Sequence, residues 1–398
     1  MSPSEEDRLP RLLRARALKM AESTHAYVRG NTERFYTWLD DSQISGSIPD
    51  GPPIWICGDC HLGNLGPIAD AQGRIDVQIR DLDQTVIGNP AYDLIRLGLS
   101  LATAARGAAL PGVTTARMIE QMVEGYDHAL ADRNVDDDVE PNVVRAVRRR
   151  ALGRRWRHLA AERMVAAPPR IDLGKKFWAI SDAERDGLTA LFDAERVRRM
   201  VLSLSGRDPD DRMRLADVAY WVKGCSSLGN LRYAALIAIG GTKKEPDEFA
   251  LIDLKEAVAS VAPSAEGAEM PEDHAERVVA GARALAPNLG DRMLAVELAG
   301  RPLVLRELMP QDLKIELEQF SKAEASRAAR YLAYVVGVAH ARQMGGTERR
   351  SWREELAGRR GGTIDAPSWL WRSVVAMIAR HETGYLNHCR RYALSDAA

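Results

Sequence analysis

The residues best suited to chemistry lie close together: Cys57-Gly58-Asp59-Cys60-His61-Leu62-Gly63-Asn64, then Ile79-Arg80-Asp81-Leu82-Asp83, then Gly88-Asn89-Pro90-Ala91-Tyr92-Asp93-Leu94. An Asp, four residues, an Asn, and a second Asp on the next apolar run form the layout that phosphoryl transfer from a nucleotide requires. The first Asp can accept the proton of an attacking hydroxyl, while the Asn and the later Asp can hold magnesium against the transferring phosphate. The competing interpretation is structural, because Gly-Asp and Asp-x-Asp also occur in turns and loop caps.

A triphosphate also needs a binding place, and a second cluster far downstream could provide it. An apolar run at 218–222 leads into Gly224-Cys225-Ser226-Ser227-Leu228-Gly229 and a second apolar run at 231–239. Strand, glycine turn, strand lets backbone N–H groups approach phosphate without side-chain collision, though an ordinary hairpin has the same pattern. It is not a Walker motif, since no Gly-Lys-Ser/Thr follows. Residues 249–257 then predict a third strand carrying one inward Lys, Lys255. A Lys in an apolar strand demands an anionic partner, unless it snorkels from an edge.

The segments Gly-Asp-x-His-x-x-Asn, Asp-x-Asp and Gly-Asn-Pro-Ala-Tyr-Asp-Leu resemble the catalytic and metal segments of aminoglycoside-phosphotransferase-like kinases. The wider pattern, with Tyr27-Val28-Arg29-Gly30 upstream and Lys255-Glu256-Ala257 downstream, is similar over most of the chain to the bacterial family labelled domain of unknown function 2252. The resemblance implies Asp59 as catalytic base, Asn64 and Asp81 as magnesium ligands and Asp83 as a second carboxylate ligand. It implies a nucleotide, ATP or GTP, held by Gly224, Ser226, Ser227, Gly229 and Lys255, with Glu276 (or Glu272) as the partner of Lys255 on the next helix. Cys57 departs from the pattern, standing where those kinases carry a His that buttresses the loop.

The order of the parts is inverted relative to such kinases, because Asp59 precedes Lys255 by nearly half the chain. A circular permutation accounts for this, and it is physically plausible where termini lie close together on a surface. A polar stretch at 309–313 is the expected hinge, and a helical pattern from Ala323 to His340 would lead into the Asp59 strand in the unpermuted order. The expected fold is therefore α+β: a two-lobed protein-kinase-like fold of circularly permuted order, with a small antiparallel-sheet lobe and a large helical lobe. Residues 1–205 hold the amino-terminal helices and the catalytic and metal segments, 206–310 the small nucleotide lobe, and 311–398 the helices that complete the large lobe.

Supporting elements read mostly as helix. Apolar residues recur at helical spacing over 94–105 and 114–129, and 9–21 and 31–39 predict two more helices. Asp93 could cap the first of these or, by resemblance, brace the Asp59 loop; the cap is the simpler reading. His340 reads as a helix-end residue. The acidic run Asp136, Asp137, Asp138 and Glu140 predicts a solvated loop, and the arginines between Arg145 and Arg163 predict either a solvated helix or an anion-binding patch. Loops are expected at 42–53 and 203–211, and a hairpin tip at 245–248. Arg29 and Gly30 belong to a recurrent segment with no chemistry assigned, and Trp352, Trp369, Trp371 and Tyr385 are expected to close the helical lobe and to shape the acceptor pocket.

Global properties narrow the class. A chain of 398 residues with 45% apolar and 28% charged residues is an ordinary globular composition, and a net charge of −1 gives no general drive toward nucleic acid or membrane. The first twenty residues lack the apolar core of an export signal, and four cysteines do not make a disulfide framework, so a cytoplasmic protein with reduced thiols is expected. Cys57-x-x-Cys60-His61 matches haem attachment, but that chemistry needs export and leaves Asn64 and Asp81 unused. A zinc site lacks a second ligand pair. A metallophosphoesterase would need later histidine ligands that do not follow in order. The functional expectation is magnesium-dependent transfer of the γ-phosphate of ATP or GTP to a hydroxyl acceptor on a small molecule or protein. A catalytically silent nucleotide-binding module and an AMP transferase of the same fold are the alternatives. The sequence identifies neither the acceptor nor the oligomeric state.

Overall fold

The computed structural model describes residues 3–40, 46–131, 140–165, 169–204, 207–240, 247–313, 315, 322–359 and 368–392. The architecture is mixed α+β, with one six-stranded antiparallel sheet set against a larger body of helices. The sheet order is Met293–Leu298, Arg301–Glu307, Asp247–Glu256, Arg232–Gly240, Met213–Trp221, Phe177–Trp178. Arg232–Gly240 lies inside the sheet and is buried over almost its whole length, which explains why it reads as a continuous apolar run rather than an alternating one.

Strand alternation sorts the charges in this sheet. Successive side chains point to opposite faces, so Asp253 and Lys255 share one face while Ile252 and Leu254 share the other. The register sets Lys255 opposite Arg232 and Val304, and Asp253 opposite Arg306, which gathers the polar side chains onto that first face. On the reverse face Ile252, Leu254, Tyr233, Leu303 and Leu305 form a core with Leu12, Leu188, Phe192, Val197 and Val201. Helices Asp182–Asp193 and Glu195–Leu202 belong to that core, and Phe177–Trp178 pairs with Met213–Trp221, so the sheet assembly draws on residues well upstream of 206.

The helical body is built around Ala91–Gly107, a helix apolar on nearly every side and correspondingly buried. Helices Gly112–Leu130 and Lys322–Ala341 pack side by side at close range. Their closeness requires Gly125, since a Cβ there would stand 2.0 Å from the Arg330 carbonyl oxygen. Trp352 and Trp369 are buried in this core rather than beside the cleft described below, and the Tyr385 hydroxyl donates to the Ala21 carbonyl at 3.0 Å.

Two small antiparallel pairs connect the helical body to the sheet: Ile54–Ile56 with Val86–Gly88, and Leu65–Ala69 with Ile75–Ile79. The Asp59–Asn64 loop joins the first pair to the second, and Asp81 to Asp83 joins the second back to the first. Among the described residues no helix is long and apolar enough to cross a membrane, and all four cysteines are free thiols. Asp136 to Asp138 and the first half of the expected tip at 245–248 lie outside the described residues.

Candidate functional site

The Asp59 loop starts from Gly58, whose backbone has φ +73 and where a Cβ would meet the Gln84 carbonyl oxygen at 2.1 Å. Only glycine fits that left-handed, crowded position. The two N–H groups entering the loop are fixed by one carboxylate, for Cys57 N donates to Asp93 Oδ2 at 2.7 Å and Gly58 N to Asp93 Oδ1 at 3.0 Å. Asp93 is thus a brace and not a helix cap, a correction to the simpler sequence reading; Pro90 occupies the cap position and makes no side-chain capping bond. His340 stands in the last turn of its helix, as expected. It is buried, with Nε2 3.1 Å from Asp93 and Nδ1 2.9 Å from the Tyr126 hydroxyl, which in turn accepts from Trp352 Nε1 at 3.1 Å. A polar chain through the helical core therefore ends on the loop that carries Asp59.

Asp59 is 8 % exposed and meets a residue the sequence reading missed. Arg96, wholly buried, reaches it with Nε at 2.9 Å and Nη2 at 2.8 Å and also donates to the Val28 carbonyl at 2.6 Å. Burial raises the Asp59 pKa above the usual carboxylate value, and the Arg96 guanidinium opposes that rise. The signal was legible: an Arg in a helix of Leu, Ile and Ala needs an anion for the same reason Lys255 does. Asn64 donates through Nδ2 to the Asp59 carbonyl at 2.9 Å, which leaves its Oδ1 as the atom available to a cation.

Lys255 brings the sheet to this loop. Its ammonium stands 3.1 Å from Asp81 Oδ1 and is ion-paired with Asp83. Burial alone would raise Asp81, but Lys255, Arg306 and Arg232 hold its carboxyl well below the usual carboxylate range. Asp83 goes the other way, pushed up to about 6 by burial and by the neighbouring Asp81. Glu276 does not join the group, contrary to expectation, and neither does Glu272; both are exposed. Asp273 caps the helix His274–Leu285 by accepting from Glu276 N at 2.8 Å, a phase that turns 276 outward and 277 inward. Arg277 therefore does the joining, donating to the Val258 carbonyl at 2.9 Å, the Asp83 carbonyl at 3.0 Å and the Thr85 carbonyl.

The Gly-rich segment lies across the same opening. Gly224, Ser226 and Ser227 share with Asp59, Asn64 and Asp81 one cavity of about 200 Å³. Gly224 has φ +101 and a Cβ there would meet Ser227 Oγ at 2.2 Å. Gly229, φ +113, packs instead toward Leu13 and Leu9 and is not part of the cavity wall. Asp83 lies behind, in a smaller space with Lys255, Asp253 and Arg306.

Cations dominate the cavity. Arg232 makes a two-pronged pair with Asp253, at 2.9 and 2.6 Å, and Arg306 approaches the same carboxylate at 3.4 Å. Lys223, also in the wall, has its pKa driven well down by burial and by Arg232. From the basic segment, Arg145 and Arg148 pair with Glu140 at 3.8 and 2.8 Å as solvated-helix residues do. Arg154 and Arg163 differ: Arg154 donates to the Pro310 carbonyl at 2.6 Å, and Arg163 lies over the Trp221 ring at 5.0 Å. With Arg80, Lys223 and Arg306 they line a second cavity of about 340 Å³ beside Leu308 to Pro310.

No group of three or more His, Cys, Asp or Glu side chains suited to hold a metal exists among the described residues. The donors present, Asp81 and Asn64, form the sparse oxygen set that suits magnesium, which keeps several waters and shares itself with substrate phosphates. The ionised state of Asp81 fits that role, so the residues are compatible with the ion.

Residues 8–391 match the family described as "Uncharacterized protein conserved in bacteria (DUF2252)". No curated protein and no solved structure matches the chain. A match over nearly the whole sequence decides membership: the chain belongs to the bacterial family of domain of unknown function 2252.

Proposed function

We propose that this chain is a magnesium-dependent phosphotransferase that moves the γ-phosphate of ATP or GTP to a hydroxyl acceptor, on a two-lobed kinase-like plan of circularly permuted order. The observation that carries the reading is the 3.1 Å contact between Lys255 and Asp81, residues 174 positions apart, behind a cavity that also holds the Gly-rich segment, Asp59 and Asn64. Nucleotide kinases need a strand Lys and a metal-binding Asp at the same phosphates, with a base and an Asn beside them. Lys255 lies on the third strand counted from Met213–Trp221, and the glycine turn joins the first two of that count.

The chain order has its own support. Gln343, just beyond the helix Lys322–Ala341, accepts from Trp55 N at 2.9 Å and donates to Trp55 O at 3.0 Å. The helix that would lead into the Asp59 strand in an unpermuted chain thus ends against that strand. In the proposed reaction Asp59 takes the acceptor's proton, Arg96 keeps its carboxylate oriented, and Lys255 and the Gly-rich backbone hold the phosphates. Magnesium bound at Asn64 and Asp81 would supply charge neutralisation to the phosphate oxygens.

The test is thermal unfolding with ATP, GTP and ADP, each with and without magnesium. A ligand bound only by the folded state at about 100 times its Kd adds about 2.7 kcal/mol. A magnesium-dependent rise in Tm with a triphosphate is expected; no shift with any nucleotide would overturn the proposal. Phosphorus NMR of the products separates phosphoryl from AMP transfer.

A further inference from the structure

The cavity beside Asp59 has more cationic side chains than a magnesium triphosphate needs: Lys19, Arg29, Arg80, Arg232 and Arg306 face it, against Asp59 and Asp81. Arg232 and Arg306 share Asp253 and stand, with Lys223, on the Lys255 side. Arg29 is elsewhere. Its guanidinium carbon lies 3.3 Å from where a Cβ on Gly63 would project, above the Asp59–Asn64 loop and alongside the His61 ring. Asp59 is committed to Arg96, and no carboxylate is paired with Arg29 among the described residues.

Two buried nitrogen atoms converge there without partners. Arg29 Nε and His61 Nδ1 are both shielded from solvent and make no hydrogen bond, and His61 as a whole is 4 % exposed. Leaving such groups unsatisfied is costly, and a bound polar partner removes that cost. The backbone at Arg29 runs close to the Gly-rich segment. Arg29 sits in the last turn of helix Thr24–Gly30, and that turn approaches the Gly-rich segment so closely that a Cβ on Gly30 would meet Met20 Cγ at 2.5 Å and Cys225 Sγ at 2.9 Å.

We infer that the acceptor is itself an anion, a hydroxyl compound bearing a phosphate or carboxylate group, and that Arg29 binds the charged group beside His61 and Asp59. The term acceptor rests on the phosphotransferase reading, whereas the anion site is a property of the cavity with or without nucleotide. It gives the Arg29-Gly30 segment a chemical role: Gly30 permits the approach, and Arg29 uses it.

The experiment is calorimetric titration of the full chain with glycerol, glycerate, glycerol 3-phosphate and inorganic phosphate, alone and with magnesium and a non-hydrolysable ATP analogue. At least one charged probe is expected to bind where glycerol does not, with glycerate and the phosphates separating carboxylate from phosphate preference. Arg29→Gln should weaken that probe by at least about tenfold, the loss of one charged hydrogen-bonding partner. Arg29→Lys should recover part of the loss, and unfolding curves of both variants verify that they fold. Equal behaviour of charged and neutral probes, or charged-probe affinity unchanged in Arg29→Gln, overturns the inference. Charged-probe binding without any nucleotide binding would keep the anion site and remove the phosphotransferase reading; nucleotide binding without charged-probe binding would do the reverse.

Discussion

Replacing Asp93 with Asn tests whether the Asp59 loop depends on a single buried carboxylate. Asp93 is 0 % exposed and receives three donors: Cys57 N at 2.7 Å, Gly58 N at 3.0 Å and His340 Nε2 at 3.1 Å. Asn has one acceptor oxygen in place of two, and its amide hydrogens would point at a backbone N–H or at the His340 ring. One buried donor left unsatisfied costs about 1 to 3 kcal/mol, and the remaining bonds lose their charge assistance, which roughly halves their strength. The sum is about 3 to 5 kcal/mol, the range measured when one member of a buried charged network is removed. His340 cannot rotate away cheaply, because its other nitrogen is held by Tyr126, which Trp352 also uses. Urea unfolding followed by tryptophan fluorescence measures the loss. A double-mutant cycle with His340→Asn should show coupling of at least about 1 kcal/mol, as expected of residues in one network. A loss below about 1 kcal/mol, or additive behaviour in the cycle, would refute the claim that Asp93 suspends the loop.

Asp59→Asn should leave binding of magnesium with ATP within a few-fold while transfer falls by about 10²- to 10⁴-fold, the contribution of a positioned base; ADP release measures it, and unchanged turnover would remove Asp59 from that role. Asp81→Asn should weaken nucleotide binding only when magnesium is present, since Lys255 keeps Asp83 as its partner; calorimetry with and without the ion checks this. Gly224→Ala places a side chain at φ +101 and 2.2 Å from Ser227 Oγ, so it should cost about 1 to 3 kcal/mol of stability and weaken triphosphate binding by thermal shift. Acid should destabilise the chain early. His25 is pushed down to about 4 by burial and by Arg29. An unfolded His takes its proton near 6.5, so between those values unfolding binds a proton. Its contribution is complete above about 6.5 and is lost as pH falls toward 4, amounting to roughly 3 to 3.5 kcal/mol at 1.36 kcal/mol per unit. His61 and His381 are shifted in the same direction by burial and nearby arginines, and add to the slope. A flat Tm between pH 7 and about 4.5 would refute it, the window coming from these shifts.

The parts of the site legible in the sequence are those whose meaning is local. Asp59, Asn64 and Asp81 could be read because a loop of six residues and the strand pair after it fix their spacing whatever surrounds them. The strands at 213–221, 232–240 and 247–256 were readable from apolar runs and a glycine turn, and strand alternation alone singled out Lys255 as a cation in need of an anion. Glu276 failed at the next step. Which helix residue faces inward depends on where the helix starts, and capping at Asp273 shifted that phase by one residue to Arg277. Asp93 failed for a related reason, since a carboxylate in a first helical turn can cap its own helix or reach another element, and only the fold decides.

Those misses share a physical cause that also bears on how the site works. A sequence shows which side chains cannot be left alone in an apolar setting, but the partner is chosen by closure of segments that are far apart in the chain. The partner of Lys255 turned out to be Asp81 with Asp83, the carboxylates expected to hold the metal. That pairing has a consequence for binding. On the proposed phosphotransferase reading, Lys255 would turn from Asp81 to phosphate oxygen as a bound ion took over the carboxylate, so neither charge would be left uncompensated. Magnesium and nucleotide should therefore bind cooperatively, and a Lys255→Met variant should bind the ion alone more tightly than the unmodified chain while binding the triphosphate less well. Calorimetry of the two titrations in that variant decides it: parallel weakening of both would mean that Lys255 does no more than hold the strand to the loop.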